Sequence, residues 1–178
     1  MQTIFKFYCG LPANLEKARQ AVRAHFKNKR DGDLHVTIFH FTRRRISTAK
    51  QTEAAKGRTS VSVPTYTDEG YNCFVGTGVV GASTRGKILK QVRYVVTAIT
   101  YDKITLHDEL TEVEFATTPH EIASSSRLEW ACTYNATQGR TEEGTVILHD
   151  LDSRFLTRAH LFVGISRVMH GDNVFLAE

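Results

Sequence analysis

A chain of 178 residues has room for one ordinary domain, or for one domain carrying a small inserted module. With 41% hydrophobic residues, 24% charged residues and three prolines, it has neither a disordered nor a collagen-like composition. A formal net charge of +4 permits contact with phosphate backbones without demonstrating it, and three separated cysteines, Cys9, Cys73 and Cys132, exclude a disulfide framework and a zinc ribbon.

No apolar run approaches the length of a membrane span, and the first residues hold only a short apolar stretch interrupted by Lys6, unlike a signal peptide. The expected setting is intracellular, with cytoplasmic, nuclear and viral replication sites undistinguished. His35 and His40 read as strand residues and not as metal ligands.

In chain order, the apolar start stops at Gly10-Leu11-Pro12, and Asn14 is a good cap for a helix on which Leu15, Ala18, Val22 and Phe26 share one face. Lys27, Lys29 and Arg30 suit that helix's carboxyl end. Residues 34–41, LHVTIFHF, are expected to form a buried strand. The basic loop Arg43-Arg44-Arg45 follows, then a polar helix to about Lys56, stopped by Gly57.

From residue 60 to 118 the character changes to short β-prone runs at 71–75, 92–100, 103–107 and 112–117, with a tight turn at Tyr101-Asp102. Close turns without helical periodicity predict a small antiparallel barrel or meander. After Pro119 helical character is expected to return over 127–141. A buried strand at 145–150, a helix at 157–168 and a last strand at 173–177 complete the chain. The expected fold is α/β: a parallel-sheet domain in parts 1–59 and 119–178, with an inserted antiparallel β-barrel at 60–118.

The chemistry-bearing segments lie late in the chain. Residues 127–141, RLEWACTYNATQGRT, resemble motif V of superfamily 1B DNA helicases of the RecD-like group, through Ala131, Thr133, Gln138, Gly139 and Thr141. Asn135 stands where that family usually has histidine. About twenty residues on, HLFVGISRV (160–168) resembles motif VI through Phe162, Val163, Gly164, Ile165, Ser166 and Arg167. Residues 37–48 look like motif IV, with Thr48 where relatives carry asparagine. The order and separation of the motifs make the pair more specific than either alone.

The resemblance implies a second RecA-like motor domain with an inserted Src-homology-3-like barrel. It further implies that Arg167, on the last helix, is an arginine finger. Such a cation stabilises charge spread over the γ-phosphate and gives about 10³–10⁵ in rate in GTPases. Gln138 and Gly139 would sit at the nucleotide cleft, with Arg43 or Arg44 as further phosphate contacts. Thr133, Asn135 and Thr141 would touch the backbone of single-stranded DNA, bonding phosphate oxygens without reading sequence.

A complete motor also needs Gly-x-x-x-x-Gly-Lys-[Ser/Thr] and an acidic pair for magnesium. The nearest glycine stretch, GTGVVGASTRGK (76–87), has the wrong spacing, and Asp150-Leu151-Asp152 lies between motifs V and VI, where the magnesium pair does not belong. ATP and Mg²⁺ are therefore expected to be held mainly by a first motor domain, in the same parent chain or in trans, and this chain alone is expected to be inactive. The alternatives are a stand-alone, non-catalytic nucleic-acid-binding module or helicase remnant, and a viral-type RNA helicase fragment.

Overall fold

The computed structural model describes residues 7, 9–64, 70–137 and 141–177. Its elements run α1 (Leu15–His25), β1 (Leu34–Thr37), α2 (His40–Ala54), β2 (Ser60–Val63), β3 (Tyr71–Phe74), β4 (Gly78–Gly81), β5 (Arg93–Ile99), β6 (Ile104–Asp108) and β7 (Val113–Thr117). They continue with α3 (Pro119–Ser125), β8 (Ser126–Leu128), β9 (Ala131–Thr133), a 3₁₀ turn (Tyr134–Thr137), β10 (Val146–Leu148), α4 (Arg158–Ile165), a second 3₁₀ turn (Gly171–Asn173) and β11 (Val174–Leu176). Two compact units result, one of Met1–Arg44 with Ala131–Glu178 and one of Arg45–Trp130.

The first unit is built on a parallel sheet in the order β11-β10-β1-β9. Side chains alternate across a strand, and the register sorts them: Leu34 lies beside Val146, which in turn lies beside Val174, and Val36 lies between Cys132 and Leu148. That face packs into one buried cluster with Ala18 and Val22 of α1 and Leu161 and Ile165 of α4. Each valine, leucine and isoleucine among them contributes roughly 1.5–3 kcal/mol by leaving water. His35 and Ile147 belong to the other face, as the alternation requires.

Both helices start where a side chain satisfies the free amides of the first turn. Asn14 accepts from the Lys17 amide at 3.1 Å, as the sequence predicts. Thr157 and His160 cap α4 reciprocally: the Thr157 hydroxyl accepts from the His160 amide, and the Thr157 amide donates to the His160 ring, both at 3.2 Å. After α1 the chain adds itself to the outer edge of the sheet, with the Lys29 amide donating to the Leu176 carbonyl at 2.9 Å.

The second unit is antiparallel. Five strands pair in the order β7-β6-β5-β4-β8, and β2 pairs with β3 separately. The four β-prone runs become β3, β5, β6 and β7. β8 joins by pairing with β4, Val79 beside Leu128. Residues 76–87 do not wrap a phosphate: Gly78–Gly81 is a fully buried strand. α3 carries a complete capping box between Thr118 and Glu121, with proline in its first turn. Among the described residues no helix is long and apolar enough to cross a membrane.

Four expectations require correction. The strand in 34–41 ends at Thr37, because the Ile38 amide leaves the ladder to donate to the Asp150 carboxylate at 2.8 Å. His40 is consequently the first residue of a helix and not part of a strand, and Arg43-Arg44-Arg45 lie within that helix and not in a loop. Residues 126–128 and 131–133 are strands, because pairing with β4 and β1 overrides their local helical character. Finally, α4 stops at Ile165 and is capped by Ser166, so Arg167 lies just beyond the helix.

Candidate functional site

Parallel sheets place ligands outside the carboxyl ends of their strands, where the strand order reverses direction. From β1 the chain passes to β9 on one side, then crosses to β10 and β11 on the other. The reversal therefore lies between β1 and β10, and the loops leaving β1, β9 and β10 form the candidate site.

At the end of β9, Thr133 is the register partner of Thr37 on β1. Thr133 is only 8% exposed. The Thr37 hydroxyl donates to the Phe39 carbonyl at 3.1 Å. The 3₁₀ turn that follows leaves Asn135 exposed and buries Tyr134 and Thr137. The Thr137 hydroxyl closes this turn on the Tyr134 carbonyl at 2.7 Å. Gln138 and Gly139 lie outside the described residues, and Thr141 is exposed where the description resumes.

Arg167 is held against this segment. Its Nε donates to the Val163 carbonyl at 3.0 Å, its Nη2 to the Ser166 hydroxyl at 2.7 Å, and its Nη1 to the Thr137 carbonyl at 3.3 Å. The two chain segments are also joined through their backbones by a parallel bridge between Glu142 and Val168. The structure thus brings Arg167 together with both flanks of residues 138–140. Arg43 and Arg44 are half-buried on α2, and no hydrogen bond between them and Arg167 is among those described.

Three features of this edge escaped the sequence reading. Asp150 has φ +59°, a left-handed backbone that costs most residues about 1–2 kcal/mol and that aspartate tolerates better, and its carboxylate holds the Ile38 amide. Behind it, the His35 and His149 rings meet at 2.8 Å, Nδ1 to Nε2; one ring donates and the other accepts. Tyr134 is fully buried, which raises its hydroxyl pKa, and it donates to the His149 carbonyl at 3.1 Å. The only sequence signal for Tyr134 is Gly164, since a Cβ there would lie 2.7 Å from the Tyr134 ring.

Chemically, the edge offers a positioned cation at Arg167 and hydroxyl and amide groups at Thr141 and Asn135. Asp152 is engaged by Arg23 at 2.6 Å. Among the described residues no three His, Cys, Asp or Glu side chains converge as a metal site.

Comparison of the sequence with protein-family models and with curated proteins finds no match. Solved structures with the same fold do exist. The Pif1 structure from Bacteroides bound to single-stranded DNA superposes with a TM-score of 0.66 at 14% identity, over 99% of this chain and 48% of that one. Pif1 helicase from Candida albicans gives 0.66 at 11% identity, over 100% and 53%. Bacteroides Pif1 in complex with ADP-AlF3 and single-stranded DNA gives 0.57 at 16% identity, over 82% and 40%. The chain spans about half the length of these proteins, and its α/β fold, with a parallel and an antiparallel sheet, is that of their helicase domains.

Proposed function

We propose that this chain is the second motor domain of an ATP-dependent superfamily 1 DNA helicase of the RecD-like group. It contacts single-stranded DNA and supplies Arg167 to ATP bound by a first motor domain. The observation that carries this reading is the junction of Arg167 with Thr137 and Glu142, which couples the segment resembling motif V to the one resembling motif VI. Fold likeness to proteins captured with single-stranded DNA and with ADP-AlF3 supports it.

In this reading the chain's own residues divide the work. Arg167 is a pre-positioned cation that meets developing charge on a transferring phosphoryl group. Gln138 and Gly139 stand next to Thr137 in sequence and report the nucleotide's state through it, and Arg43 or Arg44 adds a phosphate contact. Exposed Asn135 and Thr141 bond the DNA backbone, while the more buried Thr133 supports the turn that presents Asn135. ATP and magnesium are held mainly by the first motor domain, which supplies the phosphate-binding loop and the acidic pair. The antiparallel unit is read as the inserted Src-homology-3-like barrel.

ATP turnover by this chain alone, with and without single-stranded DNA, tests the reading. None is expected, and appreciable DNA-stimulated hydrolysis overturns the half-site assignment.

A further inference from the structure

The carboxyl edge of the parallel sheet carries an aromatic surface that the roles assigned to Arg43, Arg44, Asn135, Thr141 and Arg167 do not explain, although Phe39 lies within the segment resembling motif IV. Phe39, two residues past β1, is 41% exposed, and Phe155, in the loop after β10, is 53% exposed. Their rings meet edge to face, with centroids 5.9 Å apart. The Arg154 guanidinium lies 4.8 Å from the Phe155 ring centre. Apolar side chains scattered singly over a surface need no explanation, but a joined aromatic pair under a cation does.

The loop that presents Phe155 and Arg154 is fixed. Arg19 donates to the Ser153 carbonyl at 2.5 Å, Arg23 pairs with Asp152, and the Phe155 amide donates to the Ser153 hydroxyl at 3.2 Å. The loop's acids are thereby engaged, Asp152 by Arg23 and Asp150 by the Ile38 amide. Arg154 has no ion-pair partner among the described residues. Asp152 stays exposed in its pair with Arg23, so beside the two rings the charge on this loop left without an ion pair or an amide partner, among the described residues, is Arg154, on the same sheet edge as Asn135.

We infer that Phe39, Phe155 and Arg154 form a stacking platform for the bases of single-stranded nucleic acid, beside the backbone contacts proposed above, on whose reading this inference rests. Flat rings accept any base, because every base has a π-face, and a guanidinium adds attraction for both base and phosphate. Such a platform gives a motor grip without sequence preference.

The test is binding of a labelled oligothymidylate of about 16 nucleotides to the 178-residue chain across a salt series, beside an abasic strand of equal length. The Phe39→Ala/Phe155→Ala double variant is expected to lose about tenfold or more in affinity for the thymidylate and nothing for the abasic strand, with an unchanged salt slope. Phe155→Tyr is expected to bind like the parent, and Arg154→Ala to lower the slope by about 0.7, one phosphate's worth on a single strand. Because both phenylalanines are only part-exposed, the double variant is expected to melt a few degrees below the parent but to remain folded at the binding temperature, which its melting curve checks. Binding by the parent with undiminished binding by the double variant overturns the platform alone. Failure of the parent to bind either strand at low salt overturns the DNA-contact reading as well. A change in self-association with unchanged DNA binding assigns the cluster to a protein interface and overturns the platform.

Discussion

The Glu142 amide donates to the Arg167 carbonyl at 2.6 Å, and the Met169 amide returns the bond to the Glu142 carbonyl at 3.1 Å. Two hydrogen bonds of opposite sense make the segments around 142 and 168 one piece of parallel backbone. The Arg167 guanidinium adds a third link, to the Thr137 carbonyl at 3.3 Å.

The first prediction concerns that guanidinium. When the chain is joined to a motor domain bearing a phosphate-binding loop, Arg167→Ala is expected to lower ATP hydrolysis by about 10³–10⁵ while ATP binding persists. Steady-state turnover and nucleotide titration check it, and unchanged hydrolysis removes the finger assignment.

Gly164→Ala sets two known effects against each other. Alanine gains about 1 kcal/mol in helix propensity over glycine. Its Cβ, however, would meet the Tyr134 ring at 2.7 Å and Leu148 Cδ2 at 2.8 Å, and overpacking a filled core costs about 1–3 kcal/mol. Tyr134 is pinned by its bond to His149, so the steric cost wins. Denaturant unfolding is expected to show a net loss of up to about 2 kcal/mol.

A series at Asp150 separates backbone strain from hydrogen bonding. Asn keeps an acceptor and tolerates φ +59°, so Asp150→Asn is expected within about 0.5 kcal/mol of the parent. Asp150→Gly loses only the acceptor for Ile38, about 1–2 kcal/mol. Asp150→Ala loses the acceptor and adds strain, and is expected to cost about 1 kcal/mol more than glycine. Equal losses for Gly and Ala in urea unfolding would show that strain at this position is negligible.

Much of this architecture is legible in the residues. Asn14 and the Ala18–Val22 spacing mark α1, and the β-branched runs at 92–100, 103–107 and 112–117 become β5, β6 and β7. What the chain hides is decided by distant partners. Nothing local in LHVTIFHF shows that Asp150 will take the Ile38 amide and end the strand four residues early, freeing Phe39 and Phe41 for the surface. Residues 126–128 become a strand because β4 offers an edge. The motif segments stand out through side-chain order, whereas the lodging of Arg167 past the helix end depends on Ser166 capping it, which periodicity does not reveal.

Alkaline pH provides a further prediction from the second unit. Burial pushes the Cys73 thiol from 9.0 up to about 11, against a smaller opposing hydrogen bond with Thr77. The unfolded chain releases this proton near pH 9 and the folded one holds it longer, so the stabilisation is complete below about pH 9. It is lost as pH rises toward 11, with a slope of about 1.4 kcal/mol per pH unit. Cys73→Ala is expected to flatten that part of a stability–pH profile. At neutral pH, exposed Cys9 is expected to react with a thiol reagent well before buried Cys73 and Cys132.

The proposal as a whole stands most directly on contact with a phosphate backbone. Binding of single-stranded DNA to this chain, measured across a salt series, is expected to weaken linearly in log–log form, with a slope of about −0.7 per phosphate contacted. Asn135→Ala and Thr141→Ala, which remove neutral hydrogen-bonding groups, are expected to weaken binding with the slope unchanged, whereas loss of a cation that neutralises a phosphate lowers the slope. Absence of binding at low salt, or binding indifferent to salt, would contradict the account of this chain as a DNA motor domain.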